Sequence, residues 1–265
     1  MAIHAVLFDL DDTLLWDDRS INEAFRVTSE LAATRHSLDV GSFEEAVREE
    51  ARALYATFAT FEFTKMIGIN PFEGLWGKFE KGVQPEFRMM QELMPNYRTQ
   101  SWTRALRRFG IEDAQFGFEL GENFAEERRS RPYVYEDTYR VLDELKAKGL
   151  KLLLLTNGSP DLQQEKLDGV PKLAPYFDHI IISGTFGKGK PDPSIFQHAI
   201  DLLEINADQG LMVGDKLTTD ILGSSKIGMR NVWINRHSAT RTDEIVPTYE
   251  ISNLLQLHEI IDSIA

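Results

Sequence analysis

His4-Ala5-Val6-Leu7-Phe8-Asp9-Leu10-Asp11-Asp12-Thr13 begins as a short apolar run without alternation and breaks at once into carboxylates. A run of this length with no polar face reads as a strand covered on both sides, the condition of a parallel sheet. Four later runs have the same character, at residues 151–155, 179–182, 210–213 and 231–234, and helical patterns separate them. Residues 193–204 place Ile195, Phe196, Ala199, Ile200 and Leu203 on one stripe, and residues 219–227 stop at Gly228, a good helix-ending residue. The resulting βαβα order predicts an α/β fold with a doubly wound, Rossmann-like parallel sheet.

Between the first run and the second the chain changes flavour. Residues 17–131 read as helix after helix with no convincing strand. Ser42-Phe43-Glu44-Glu45 has the form of a capping box leading into Phe43, Val47, Ala51, Leu54, Tyr55 and Phe58 at helical spacing. Further helices are predicted near 21–34, 85–94, 101–109 (stopped by Gly110) and 113–128, with a Gly- and Pro-bearing break at 68–82 that holds Phe72, Trp76 and Phe79. These aromatics read as packing of a second domain. A helix over 136–148, ending at Gly149, leads back to the sheet. The division is therefore a core domain of residues 1–16 and 132–265 and an all-helical cap domain of residues 17–131.

The chain has 265 residues, 42% hydrophobic and 27% charged, with a net charge of −13 and no cysteine. Such an acidic body disfavours nucleic acid and anionic lipid as partners, and Arg104, Arg107 and Arg108 read as a solvated helix face. Absence of cysteine removes thiol catalysis, cysteine-ligated metal and disulfides. With no apolar stretch of about 18 residues and no basic, apolar leader, a cytoplasmic protein is expected.

Ligands of open α/β sheets bind beyond the carboxyl ends of the strands. The residues there are Asp9, Asp11 and Asp12 after the first run, and Thr156-Asn157-Gly158-Ser159 after the second. Lys188 and Lys190 with Pro191-Asp192-Pro193 follow the third, and Gly214-Asp215 with Asp220 the fourth. Crowded carboxylates repel unless a cation neutralises them, and oxygen-only ligands suit a hard divalent ion such as Mg²⁺. The lysine, hydroxyl and amides left over suit an anion, most naturally phosphate. Metal and anion together point to phosphoryl transfer.

Phe8-Asp9-Leu10-Asp11-Asp12-Thr13-Leu14 resembles the DxDxT signature of the haloacid dehalogenase (HAD) superfamily phosphatases. Leu155-Thr156-Asn157-Gly158, Lys190-Pro191-Asp192-Pro193 and Gly214-Asp215 through Asp220 resemble the second, third and fourth motifs, in the right order. The helical insert sits where the family carries a C1 cap. The resemblance implies that Asp9 attacks phosphorus to form an aspartyl-phosphate, and that Asp11 protonates the leaving alcohol and then activates water. It places Mg²⁺ on Asp9, the Asp11 backbone carbonyl and Asp215, with Asp220 acting through water or behind the ligands. Thr156 and the Asn157 amide would hold the phosphoryl oxygens, and Lys190 would bind that group and Asp9. Lys216 stands where the family often has a small hydroxyl residue.

The function so implied is a Mg²⁺-dependent phosphatase acting on a small phosphorylated metabolite. Phosphoserine is the first choice, because the chain with its long cap resembles bacillar HAD phosphatases assigned to that ester. The stretch 153–159 with Gln163, Gln164, Glu165 and Lys166 is also similar to the N-acylneuraminate-9-phosphatase and nucleotidase branch. A 5′-nucleotidase, for which Phe72, Trp76 and Trp102 would offer stacking, or a sugar-phosphate phosphatase is the alternative. Phosphomutase, 2-haloacid dehalogenase and non-catalytic binding module come after these. A monomer or a homodimer is expected, and hinge motion is expected near 14–18 and 130–135.

Overall fold

Six strands pair in a single parallel sheet: β1 Ala5–Phe8, β2 Lys151–Thr156, β3 His179–Ile182, β4 Gly210–Gly214, β5 Arg230–Ile234 and β6 Tyr249–Ile251. The computed structural model describes residues 2–240 and 244–264. The strand order is β3-β2-β1-β4-β5-β6. Val6 and Leu7 lie opposite Leu152 and Leu153 on one side and Leu211 and Met212 on the other. All four residues of β1 are buried, as are all five of β4, so neither strand has a face on which a polar residue could alternate. β6 has no counterpart in the sequence reading: at three residues, with Glu250 exposed at its centre, it offers too little apolar pattern. From β1 the chain winds outward through β2 to β3, then returns to the centre at β4 and winds the opposite way to β6. The carboxyl ends of β1 and β4 thus flank the switch point, where an open sheet of this kind leaves a crevice.

The chain divides into two compact units, one of Met1–Trp16, Val134–Gly158 and Val170–Ala265, the other of Asp17–Tyr133 and Ser159–Gly169. The second unit is built on α1 Asp17–His36, α2 Val40–Tyr55, α3 Phe61–Ile67, α4 Pro71–Gly74, α5 Pro85–Arg108 and α6 Ala114–Arg129. Phe25, Phe43, Tyr55, Trp76, Phe79, Tyr97, Trp102, Phe116 and Phe124 fill its core. The remaining helices are α7 Thr138–Ala147, α8 Pro160–Asp168, α9 Ser183–Phe186, α10 Pro193–Leu203, α11 Leu222–Lys226 and α12 Leu257–Ile264. Among the described residues no helix is long and apolar enough to cross a membrane.

Three local readings are corrected. The helices expected at 85–94 and 101–109 are one, α5, which runs through Pro95. Proline inside a helix removes a hydrogen bond and costs about 3 kcal/mol, but burial continues across it. Tyr97 is fully buried and donates its hydroxyl to Pro71 O at 2.8 Å and Ala51 O at 3.2 Å. The helix expected to open at Ser42 opens at Val40, with Asp39 as its cap, accepting from the amide and hydroxyl of Ser42 at 2.8 and 2.7 Å. Residues 219–227 form a wide π-helical turn, Leu217–Ile221, followed by the short α11.

The boundary also differs from the sequence division, because α8 packs with the helical unit. Leu162 lies in that unit's core, and Asp161 Oδ2 accepts the amide of Lys81 at 2.6 Å. Lys166 is buried, 3.1 Å from Glu73 and 3.4 Å from Asp17, and Asp17 also pairs with Arg128. Arg128 donates to Ser20 Oγ at 2.7 Å and lies 4.7 Å above the Trp76 ring. Two cations here neutralise two acids, and all four side chains are largely buried. Removing one partner from such a set strands a buried charge, so Lys166→Met is expected to lower unfolding free energy by about 3 kcal/mol in urea titration.

Candidate active site

β1 delivers Asp9 directly, and its amide donates to Val213 O of β4 at 2.9 Å, so the side chain starts from a fixed backbone. Lys190 reaches it from the loop before α10. Its ammonium lies 2.6 Å from Asp9 Oδ1, 2.6 Å from Asp220 Oδ1 and 2.7 Å from Leu155 O. That loop is clamped by Asn157, whose Oδ1 accepts the Lys190 amide at 2.8 Å while its Nδ2 donates to Lys190 O at 2.9 Å. Lys188, the other lysine of the segment, is exposed and pairs with Asp192 at 3.4 Å.

Asp215 follows β4, its backbone carbonyl taken by Trp233 Nε1 at 2.7 Å. Asp220 is buried, and its Oδ2 accepts the Lys216 amide at 3.1 Å. A Cβ on Gly214 would stand 2.3 Å from the Asp220 carboxyl carbon, so that carboxylate can reach its place only over glycine. Asp9, Asp215 and Asp220 each offer an oxygen within 4.8 Å of the other two. Asp215 Oδ1 is buried with no hydrogen-bond partner. An oxygen in that state beside two more carboxylates fits a hard divalent cation.

Electrostatics agree with the geometry. Burial pushes the Asp9 carboxyl above its usual range; Lys190 opposes this and Asp220 reinforces it. Burial likewise raises Asp215 well above its usual range, with Lys216 opposing and Asp9 and Asp220 adding repulsion. For Lys190 burial works against the charge, but Asp220 and Asp9 outweigh it and the ammonium is held more firmly than usual. Lys216 shows the same balance, raised by Asp215, Asp9, Asp11 and Asp220 against its own desolvation.

The residues expected at the strand ends gather as follows. Asp9, Lys190, Asp215 and Asp220 form one contiguous cluster. Thr156 ends β2 in a buried position, and Asn157 joins the cluster through its clamp on Lys190. Asp11 lies in the turn after β1, half-buried and bridged to Leu15, and Asp12 takes φ 59° in that turn with its amide on Leu15 O at 2.7 Å. The sequence reading missed three supporting groups: Trp233 on Asp215 O, Leu155 O on Lys190, and Ser183 Oγ on the Gly158 amide at 2.9 Å. Only Gly158, at φ 145°, had a legible signal, a glycine next to Asn157.

With this geometry in place, residues 3–228 match the family described as haloacid dehalogenase-like hydrolase. The chain belongs to that family. It is 33% identical over 252 residues to the phosphoserine phosphatase of Thermus thermophilus, covering 95% of this chain and 96% of that protein. It is 34% identical over 182 residues to the N-acylneuraminate-9-phosphatase of Rattus norvegicus, covering 67% and 73%. The crystal structure of the putative HAD-hydrolase YfnB of Bacillus subtilis, bound to magnesium, superposes with a TM-score of 0.67 at 22% identity over 99% of this chain and 100% of that one. That likeness establishes the shared fold. This HAD hydrolase is an enzyme whose relatives are phosphatases.

Two outcomes follow for the cluster. Because the folded state raises the Asp9 and Asp215 pKa values, it binds protons more tightly than the unfolded chain there. In the metal-free protein the contribution of these two carboxyls to stability should therefore fall as pH rises above about 4, and Mg²⁺ should raise the unfolding temperature more at neutral than at acidic pH, as calorimetry would show. Gly214→Ala should displace the Asp220 carboxylate and weaken Mg²⁺ binding at least about tenfold, worth roughly 1.4 kcal/mol in titration calorimetry.

Proposed function

We propose that this HAD hydrolase is a Mg²⁺-dependent phosphomonoesterase that works through an aspartyl-phosphate, with phosphoserine as its substrate and serine as product. The observation that carries the reaction class is the placement of Asp9 at the switch point, 2.6 Å from a buried lysine and within reach of two further carboxylates. Asp9 is the nucleophile: its oxygen forms a bond to phosphorus as the ester P–O bond breaks, and Asp11 gives its proton to the departing alkoxide. Asp11 then takes a proton from water, which attacks the phospho-enzyme and releases phosphate and free Asp9. Lys190 keeps Asp9 ionised and oriented, and binds a phosphoryl oxygen together with Thr156 and the Asn157 amide. Asp9, the Asp11 backbone carbonyl and Asp215, with Asp220 behind them, would hold Mg²⁺, which would supply charge neutralisation for the transferring group.

Phosphoserine stands first because the relative that acts on it aligns along 95% of this chain, helical unit included. A sugar-phosphate substrate is the second reading, supported by the N-acylneuraminate-9-phosphatase likeness over 67% of the chain. The nucleotidase alternative loses two of its three candidate stacking rings to burial. Trp102 and Trp76 are buried at 0% and 2% exposure, and Phe72 packs edge-on against Phe25. Dehalogenation requires neither a proton donor at Asp11 nor the Asp215 carboxylate.

Phosphate release from phosphoserine, sugar phosphates, phosphoglycolate and nucleoside monophosphates, with Mg²⁺ and with EDTA, tests this reading. Turnover is expected only with the metal, fastest on phosphoserine, and at least about 10³-fold lower in Asp9→Asn. Preference for another ester overturns the substrate, and turnover surviving in Asp9→Asn overturns the mechanism.

A further inference from the structure

The turn that carries Asp11 is held from two other parts of the α/β unit. Within the turn, the amides of Leu14 and Leu15 return to Leu10 O at 3.0 and 2.9 Å, and Asp12 sits in the left-handed region. Two of its carbonyls are taken by groups from outside it. Leu14 O accepts the Tyr135 amide at 3.1 Å and the Thr138 hydroxyl at 2.9 Å. Thr13 O, two residues past Asp11, accepts Arg236 Nη2 at 3.0 Å.

Arg236 lies just beyond β5 and is itself tightly fixed. Its two terminal nitrogens form a forked pair with the Asp137 carboxylate, both at 3.0 Å, and Asp137 Oδ2 also accepts the Leu254 amide at 2.7 Å. The guanidinium carbon rests 3.7 Å from the Tyr135 ring centre, and Tyr135 in turn stacks on Trp16 at 5.2 Å. The Arg236 side chain is 10% exposed and that of Asp137 is 11%. One plane therefore serves a carboxylate, a carbonyl and an aromatic face at once, which a guanidinium can do and a lysine ammonium cannot. None of these contacts involves the carboxylate cluster or the Lys190 ammonium, so packing at the reactive centre does not account for a buried arginine here.

We propose that Arg236 is a positioning residue for Asp11, acting through the Thr13 carbonyl to set where the Asp11 carboxyl stands. The inference rests on the reading of Asp11 as proton donor to the leaving group. Asp9 is anchored separately, by β1 and Lys190, so with Mg²⁺ saturating, loosening the turn should slow release of a leaving group that needs the Asp11 proton far more than release of one that does not. Displacement of a catalytic group by about 1 Å can cost about 10²-fold.

Leaving-group chemistry separates these cases. An alkyl phosphate needs a proton on its departing oxygen, whereas p-nitrophenyl phosphate releases a stable phenolate without one. Both esters give the same aspartyl-phosphate, whose hydrolysis also uses Asp11. The experiment therefore compares the single-turnover rate of leaving-group release, with enzyme in excess and Mg²⁺ saturating, on p-nitrophenyl phosphate and on the alkyl ester that the wild type cleaves fastest, phosphoserine first. In Arg236→Met, single-turnover release of the alcohol from the alkyl ester should slow by about tenfold or more, while release of p-nitrophenolate should change by less than about threefold. Arg236→Lys, which keeps the cation beside Asp137 but not the fork, should show the same split at smaller size. The activated ester doubles as the folding control, because misfolding lowers both rates together.

Equal losses on the two esters, or no loss on either, overturn the proposal. Asp11→Asn serves as the reference. A split there without one in the Arg236 variants overturns the positioning role alone. No split in Asp11→Asn overturns the proton-donor reading, and the role of Arg236 with it.

Discussion

The Lys190 ammonium is the contact around which the site is built. It is buried, and burial alone would drive it to release its proton; two carboxylates at 2.6 Å and a carbonyl at 2.7 Å reverse that preference. The same contacts draw together residues from three distant parts of the chain, Asp9 after β1, Lys190 before α10 and Asp220 in the wide turn after β4. Asp9, Asp215 and Asp220 still outnumber the ammoniums of Lys190 and Lys216, and burial, reinforced by repulsion among the carboxylates, holds Asp9 and Asp215 above their usual range. Lys190 organises the cluster without satisfying it, and a cation completes the charge balance.

The sheet explains why so much charge can be held in place. β1 is paired on both sides, with β2 and β4, and every residue in it is buried, so Asp9 emerges from one of the most constrained stretches of the chain. Preorganisation of this kind matters most where the reaction consists of charge moving between oxygens and phosphorus, because stabilising groups need not rearrange as the transition state forms. Asn157 extends the same rigidity to Lys190 by bonding its backbone on both sides.

Much of this was legible in the residues themselves. A buried strand followed by Asp9 and Asp11, and a β4 that ends in Gly214-Asp215, are short-range patterns, and parallel-sheet geometry brings them together without further information. The resemblance of Lys190-Pro191-Asp192-Pro193 to the third motif likewise singled out Lys190 over Lys188. What was not legible depends on long-range packing. Nothing near Pro95 signals that Tyr97 is buried deeply enough to carry α5 through it, and nothing around Arg236 or Trp233 announces a partner more than a hundred residues away or across a strand. Ser42 matched a capping pattern that Asp39 satisfies instead, since the side-chain oxygen of either can accept an amide at a helix start and only the backbone path distinguishes them.

The packing of α8 bears on how this architecture can be rearranged. A helical unit made of one continuous insertion could be exchanged between sheets by cutting the chain twice. Here the unit is threaded twice, by residues 17–133 and again by 159–169, and the second thread contributes Leu162 to its core and Lys166 to its buried charge set. A transplant limited to the first thread would leave Glu73 without its lysine, Asp17 with Arg128 alone, and the core with a hole. The second thread begins immediately after Thr156-Asn157-Gly158, so the helical unit and the turn after β2 form a covalent neighbourhood that chain recombination has to preserve as a block.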